Sequence, residues 1–192
     1  MSRFLVVLAL LSFSCNRDQL TRPFGACTGF SAGQPASLEG RLHYDTGAPA
    51  AGLKITLDGN VQVETDAGGQ FVFPALETGV HTLQSTGISG EMQIAQGRNY
   101  VDFPVPTYST SGWAAGRVLD ACTGRPIAGA KVGNDSNFTT TAADGTFNKF
   151  SCCNTSLGET VSANGYATFN YGSNGRIFQH TKVVDYLLQR AK

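Results

Sequence analysis

Few residues in this chain could do chemistry, and their types favour crosslinking over turnover. There are five cysteines and three histidines among 192 residues. A zinc hydrolase built on His-x-x-Glu needs a glutamate three positions after a histidine, where both can reach one metal ion. His43, His81 and His180 are followed at that position by Thr46, Gln84 and Val183. No Cys-x-x-Cys spacing occurs, so no metal-ligand set emerges. A serine nucleophile on a strained strand-to-helix turn carries Gly-x-Ser-x-Gly, which is absent. Asp66, Asp135 and Asp144 are candidate oxygen ligands for calcium, but none lies in an Asp-rich loop of ligand spacing. The sequence therefore assigns no catalytic residue, no metal and no cofactor.

The cysteines are more informative. Residues 1–15 combine a positive Arg3, the apolar run from Phe4 to Phe13, and Ser14-Cys15. A run of about ten apolar residues is too short for a membrane-spanning helix, which needs about 20, and reads as a signal peptide. A small residue directly before a cysteine resembles the lipobox of bacterial lipoproteins, with Leu11 one place earlier than usual and Ser12 in its stead. That resemblance implies lipidation of Cys15, a membrane partner through the lipid anchor, and a place in the bacterial cell envelope, at the outer membrane or cell surface. The alternative is an ordinary signal peptide with an incidental cysteine. Four candidates remain for disulfides: Cys27, Cys122, Cys152 and Cys153. Exported proteins keep such bonds, each adding about 2–4 kcal/mol. Neighbouring cysteines rarely pair together, so the expectation is that one of Cys152 and Cys153 bonds Cys122 and the other bonds Cys27.

The elements that must hold these residues are strands. Residues 16–35 lack periodicity and read as a tether. From Ser37 onward Leu38, Gly40, Leu42 and Tyr44 alternate with Glu39, Arg41 and His43, the period of a half-buried strand. Short runs of the same kind follow at 53–57, 61–65, 70–73, 80–84, 91–94 and 100–105. A second series occupies 113–119, 130–132, 138–141, 146–150, 160–163, 166–171 and 183–188. Turn residues separate them throughout, with 23 glycines in all, which predicts an all-β antiparallel sandwich in each of two units, 36–106 and 112–189. Pro104, Pro106 and residues 107–111 read as the joint, and 172–181 as a long loop. Lys and Arg number 14, as do Asp and Glu, so the net charge is zero. Phosphate neutralisation requires a basic surface, and nucleic acid is excluded as a partner on that ground.

The two series repeat one another residue by residue. Gly40-Arg41-Leu42, Thr46-Gly47-Ala48-Pro49 and Thr65 to Phe71 return as Gly116-Arg117-Val118, Thr123-Gly124-Arg125-Pro126 and Thr141 to Phe147. Tyr100-Val101-Asp102-Phe103 returns as Val183-Val184-Asp185-Tyr186. The run from Gly116 to Val132, with Thr141, Asp144-Gly145, Phe147 and Asn164-Gly165-Tyr166, resembles the carboxypeptidase regulatory-like domain family. The resemblance is fuller in the second unit than in the first. It implies two tandem seven-stranded transthyretin-like β-sandwiches of Greek-key, prealbumin type. It implies no peptidase, since the zinc motif is missing. Transthyretin-like hydroxyisourate hydrolases end in Tyr-Arg-Gly-Ser, whereas this chain ends Leu188-Gln189-Arg190-Ala191-Lys192. Sandwich domains of Gram-positive surface proteins carry Lys-to-Asn isopeptide crosslinks from a first-strand lysine; here Arg41 and Arg117 hold that strand, and Lys54 and Lys131 stand on the second.

Asp144-Gly145 reads as a two-residue hairpin with both residues at positive φ. Phe71 and Phe147 read as core residues that open the next strand. Trp113, Tyr166, Phe169 and Tyr171 form the candidate ligand surface, as aromatic faces do for sugars, against a role in filling the second core. The function that follows is a non-catalytic, exported, lipid-anchored envelope protein serving as spacer or binding platform, with an envelope protein or glycan as its partner. The alternatives are a carbohydrate- or peptide-binding accessory protein and, third, a prealbumin-fold hydrolase.

Overall fold

Strict alternation builds the first strand. In a computed structural model, which describes residues 33–107, 111–152, 156–176 and 180–191, Leu38, Gly40 and Leu42 turn inward along β1, Pro35–Tyr44, while Arg41 faces solvent. The signal peptide, Cys15, Cys27 and nearly all of the 16–35 tether lie outside the described residues, as does Cys153. Six more strands complete the first unit: β2 Lys54–Leu57, β3 Val61–Glu64, β4 Gln70–Glu77, β5 Gly79–Ser85, β6 Ile88–Ile94 and β7 Gly97–Val105. The second unit has β8 Ser111–Asp120, β9 Lys131–Gly133, β10 Phe138–Thr140, β11 Thr146–Cys152, β12 Ser156–Ser162, β13 Phe169–Arg176 and β14 His180–Leu188.

The pairing plan repeats with the sequence. In the first unit β4-β1-β7 forms one sheet and β3-β2-β5-β6 another; in the second, β11-β8-β14 and β10-β9-β12-β13 follow the same order. Leu38, Ile55, Phe71, Phe73 and Phe103 fill the first core. Val118, Val132, Phe147, Val161 and Tyr186 fill the second. Phe71 and Phe147 are both nearly inaccessible, as their place after the repeated turn predicts.

Two expectations require correction. The sandwiches are not purely antiparallel: β1 and β7 run parallel, as do β8 and β14. Each such pair is joined through all the strands between, not through a hairpin, so no tight turn imposes opposite directions. The 172–181 stretch is also not all loop, because β13 continues to Arg176 and β14 starts at His180. Pro104 belongs to β7, opposite His43. That strand is the outer one of its sheet, where a missing N–H costs no ladder bond.

The repeated turn before Phe71 and Phe147 is built around one glycine, not an Asp-Gly pair. Gly69 and Gly145 have φ of 75° and 76°, and Asp144 is not among the residues at positive φ. A Cβ on Gly69 would lie 2.2 Å from the Leu42 carbonyl oxygen. The threonine that opens each turn is equally fixed. Thr65 Oγ1 donates to the Ala50 carbonyl and accepts from Leu53 N–H; Thr141 Oγ1 does the same with Ile127 and Ala130. Both threonines are buried. Thr141→Val keeps the shape but strands two buried polar groups, and should cost about 1–3 kcal/mol in urea unfolding.

Candidate functional site

The repeated arginine and aspartate meet across the parallel strands. Register sets Arg41 opposite Asp102 and Arg117 opposite Asp185. In the first unit the pair lies at the surface, Arg41 Nη2 3.0 Å from Asp102 Oδ2, with His43 Nε2 3.5 Å from the same carboxylate. In the second unit both side chains are 3% exposed. The difference is made by the first unit, whose β6 runs parallel to β14 from Ile88 opposite Thr181 to Glu91 opposite Val184. This joins one sheet from each unit into a seven-stranded sheet, β11-β8-β14-β6-β5-β2-β3. Ala115 and Val183 of the second unit are thereby packed into the first core.

The ladder stops at Glu91, and charged side chains take over from backbone. Gln93 N–H donates to Asp185 Oδ2 at 2.8 Å, and the Gln93 carbonyl accepts from Arg117 Nη2 at 2.8 Å. Arg117 Nη1 also donates to Asn99 Oδ1 at 3.1 Å. The ion pair therefore completes the backbone of a strand from the other unit. A third junction contact sets Ser89 Oγ 2.7 Å from His180 Nε2. Burial lowers the imidazole pKa below its ordinary 6.5, against a smaller opposing effect of the Ser89 backbone, so at neutral pH the ring is uncharged. Below about pH 6.5 the unfolded chain takes up a proton that the folded junction refuses, and stability falls with pH in that window. His180→Asn should remove this part of the pH dependence of Tm between pH 5 and 7. Serine beside histidine is also the start of a nucleophile and base, but among the described residues no carboxylate orients the imidazole.

Where β6 and β14 part, a cleft of about 630 Å³ opens between the units. Glu91 and Met92 line one side, Phe169 and Tyr171 of β13 another, and Tyr186 and Leu187 of β14 lie between. Lys182 Nζ stands 3.2 Å from the Tyr171 hydroxyl and 5.5 Å from its ring centre. The walls are mostly apolar, with charged groups at Glu91, Lys182 and Asp185, a setting for an apolar or aromatic side chain.

The expected aromatic surface is divided. Tyr171 lines the cleft with Phe169, while its ring packs edge-on against Tyr186 at 5.7 Å. Trp113 packs against Phe150 at 5.1 Å instead. Tyr166 donates its hydroxyl to Asp120 Oδ2, which also accepts from Arg190 Nε. Burial raises the Asp120 pKa, but Thr123 and Cys122 N–H groups, Arg190 and Tyr166 outweigh it and hold the carboxyl well below the usual range.

Cys122 lies just beyond β8, its N–H on Asp120 Oδ1, and is held in a disulfide. Of its expected partners, Cys153 lies outside the described residues, and register sets the Cys152 backbone apart from it. Cys152 is opposite Ser111, at the far end of the 10-residue β8. At about 3.3 Å per residue that is roughly 30 Å from Cys122, against about 7 Å allowed between bridged Cα atoms.

Sequence reasoning passed over a buried pair in the second core. Lys149 Nζ is 3.2 Å from Glu159 Oε1, with side chains 8% and 0% exposed. Tyr186 donates to Glu159 Oε2 at 2.5 Å. Burial and then the negative charge of Glu159 raise the Tyr186 pKa far above normal, so it remains a donor. The available signal was that Lys149 shares the strand face of Phe147.

No family model matches the chain, and no curated protein matches it. Solved structures similar to it include the Bacillus anthracis TIE protein, at 13% identity, TM-score 0.34, covering 84% of this chain and 34% of that one. A Streptococcal ancillary pilin is similar at 12% identity and TM-score 0.32, covering 82% and 63%. GBS52, the minor pilin of Streptococcus agalactiae, is similar at 10% identity and TM-score 0.32, covering 82% and 97%. The chain thus spans about a third of the first and under two thirds of the second.

Proposed function

We propose that this is an exported, non-catalytic cell-envelope protein, anchored by lipid on Cys15, whose two seven-stranded prealbumin-type units form a rigid spacer. The observation that carries the reading is the sheet shared by both units, closed by Arg117 and Asp185 on the backbone of Gln93. Two units locked in this way hold a fixed separation. The repeated residues are spent on turns, cores and inter-strand pairs, which suits a scaffold. Anchoring is tested by mass spectrometry of the membrane fraction: a diacylated or triacylated Cys15 at the mature N-terminus is expected. An unmodified N-terminus, or Cys15→Ala protein still held in the membrane, would refute it.

The cleft gives specific support to a second reading, a binding platform for a peptide or glycan, because Phe169 and Tyr171 face it together. A ligand at a hundred times its Kd should stabilise the fold by about 2.7 kcal/mol. Unchanged Tm across a peptide and glycan panel counts against that reading.

A further inference from the structure

We infer that copies of this chain assemble head to tail, strand β13 of one copy pairing in parallel with β7 of the next, as β6 pairs with β14 inside the chain. The internal junction has two halves, the outer strand of one sheet and the arginine–aspartate strands of another. The repeat leaves one more of each. β13 ends the sheet β10-β9-β12-β13, the place that β6 holds after β3-β2-β5. β7 ends β4-β1-β7, the place of β14 after β11-β8. Among the described residues β13 pairs only with β12, and β7 only with β1. Each therefore presents backbone donors and acceptors along one edge, a template for another strand.

The closing residues are in place as well. Arg41 faces Asp102 in the register in which Arg117 faces Asp185, and it is the second of these pairs that holds the arriving strand at the Gln93 backbone. Arg41 lies 3.0 Å from Asp102 and is 45% exposed, open to a strand that would cover it as β6 covers Arg117.

The repeat also sets the register. Arg98, Asn99 and Tyr100 stand in β7 where Thr181, Lys182 and Val183 stand in β14, opposite Ile88, Ser89 and Gly90. The matching residues of β13 are read along the ladders. Thr56 lies opposite Gln84, which lies opposite Ser89; Gly133 lies opposite Thr160, which lies opposite Asn170. Phe169, Asn170 and Tyr171 thus meet Arg98, Asn99 and Tyr100 of the next copy. The added strand enters the cleft, where Phe169 and Tyr171 line one wall and exposed Val80 lies in another. Two different edges of identical chains make a heterologous contact, so growth does not stop at a pair. Nothing in this pairing depends on the lipid anchor.

The test uses the whole mature chain with Cys15→Ser, so that lipid cannot hold copies together. Sedimentation is followed up to about 1 mM, the local concentration that a short linker gives to two units of one chain. The average mass is expected to rise past twice that of the monomer. A mass that stays monomeric, or that levels off at a pair, overturns the inference. Arg41→Ala should weaken association by about tenfold or more while the dilute monomer stays folded; unchanged association would remove β7 from the contact. Tyr100→p-benzoylphenylalanine, mixed with isotope-labelled unsubstituted chain and illuminated, should capture a labelled peptide spanning Phe169 to Tyr171. Capture of labelled β7, or of any strand other than β13, overturns the head-to-tail pairing.

Discussion

Arg117→Ala is expected to lower the unfolding free energy by about 3–5 kcal/mol, because it leaves Asp185 buried without its cation and the Gln93 carbonyl without its arginine donor. The pair is 3% exposed on both sides, and the Gln93 carbonyl takes one of its bonds from Arg117. Arg41→Ala removes the repeat-equivalent arginine, whose side chain is 45% exposed, and should cost only about 0.2–1 kcal/mol. Urea unfolding of both variants makes the comparison. Similar losses would mean that burial by the first unit does not set the strength of the contact. Arg117→Met combined with Asp185→Leu should recover only part of the loss, since the buried charge is gone but the Gln93 N–H and carbonyl lose their side-chain partners.

Glu159→Ala should be as damaging, at about 3–5 kcal/mol, but for the second core instead of the junction. Lys149 would be left as a buried ammonium facing Tyr186, with the Tyr186 hydroxyl deprived of its acceptor. The way to separate charge from packing is pH. With Glu159 gone, Lys149 can enter the core only by losing its proton, so the variant should gain stability as pH rises from 7 to 9 relative to the unsubstituted protein. A flat difference across that range would assign the loss to the cavity alone.

The strands were legible because alternation is a local property: Leu38, Gly40 and Leu42 announce an inner face wherever the strand ends up. Direction was not, since alternation is identical for parallel and antiparallel neighbours, and β1 with β7 depends on how five intervening strands are routed. The end of β13 was hidden because Gly172, Ser173, Asn174 and Gly175 have turn composition, and only pairing with β12 draws them into a strand. The site was legible in its parts. Arg117 and Asp185 both stand in the repeated motif, but their position on the solvent side of an isolated strand gives no hint that another unit covers them. Tyr171 lines the cleft, while Trp113 and Tyr166 found partners of their own.

The parallel closure of each unit has a mechanical consequence. The chain enters a unit along β1 and leaves it along β7, neighbours in one sheet with nine residue pairs in register from Ala36 to Tyr44. Tension between entry and exit pulls these strands past one another, so the rungs share the load and must give way together. A hairpin at the same place would open one rung at a time. β8 and β14 repeat the geometry in the second unit. A tether built from such units resists extension through the rate at which a whole ladder shears, a kinetic barrier distinct from its equilibrium stability.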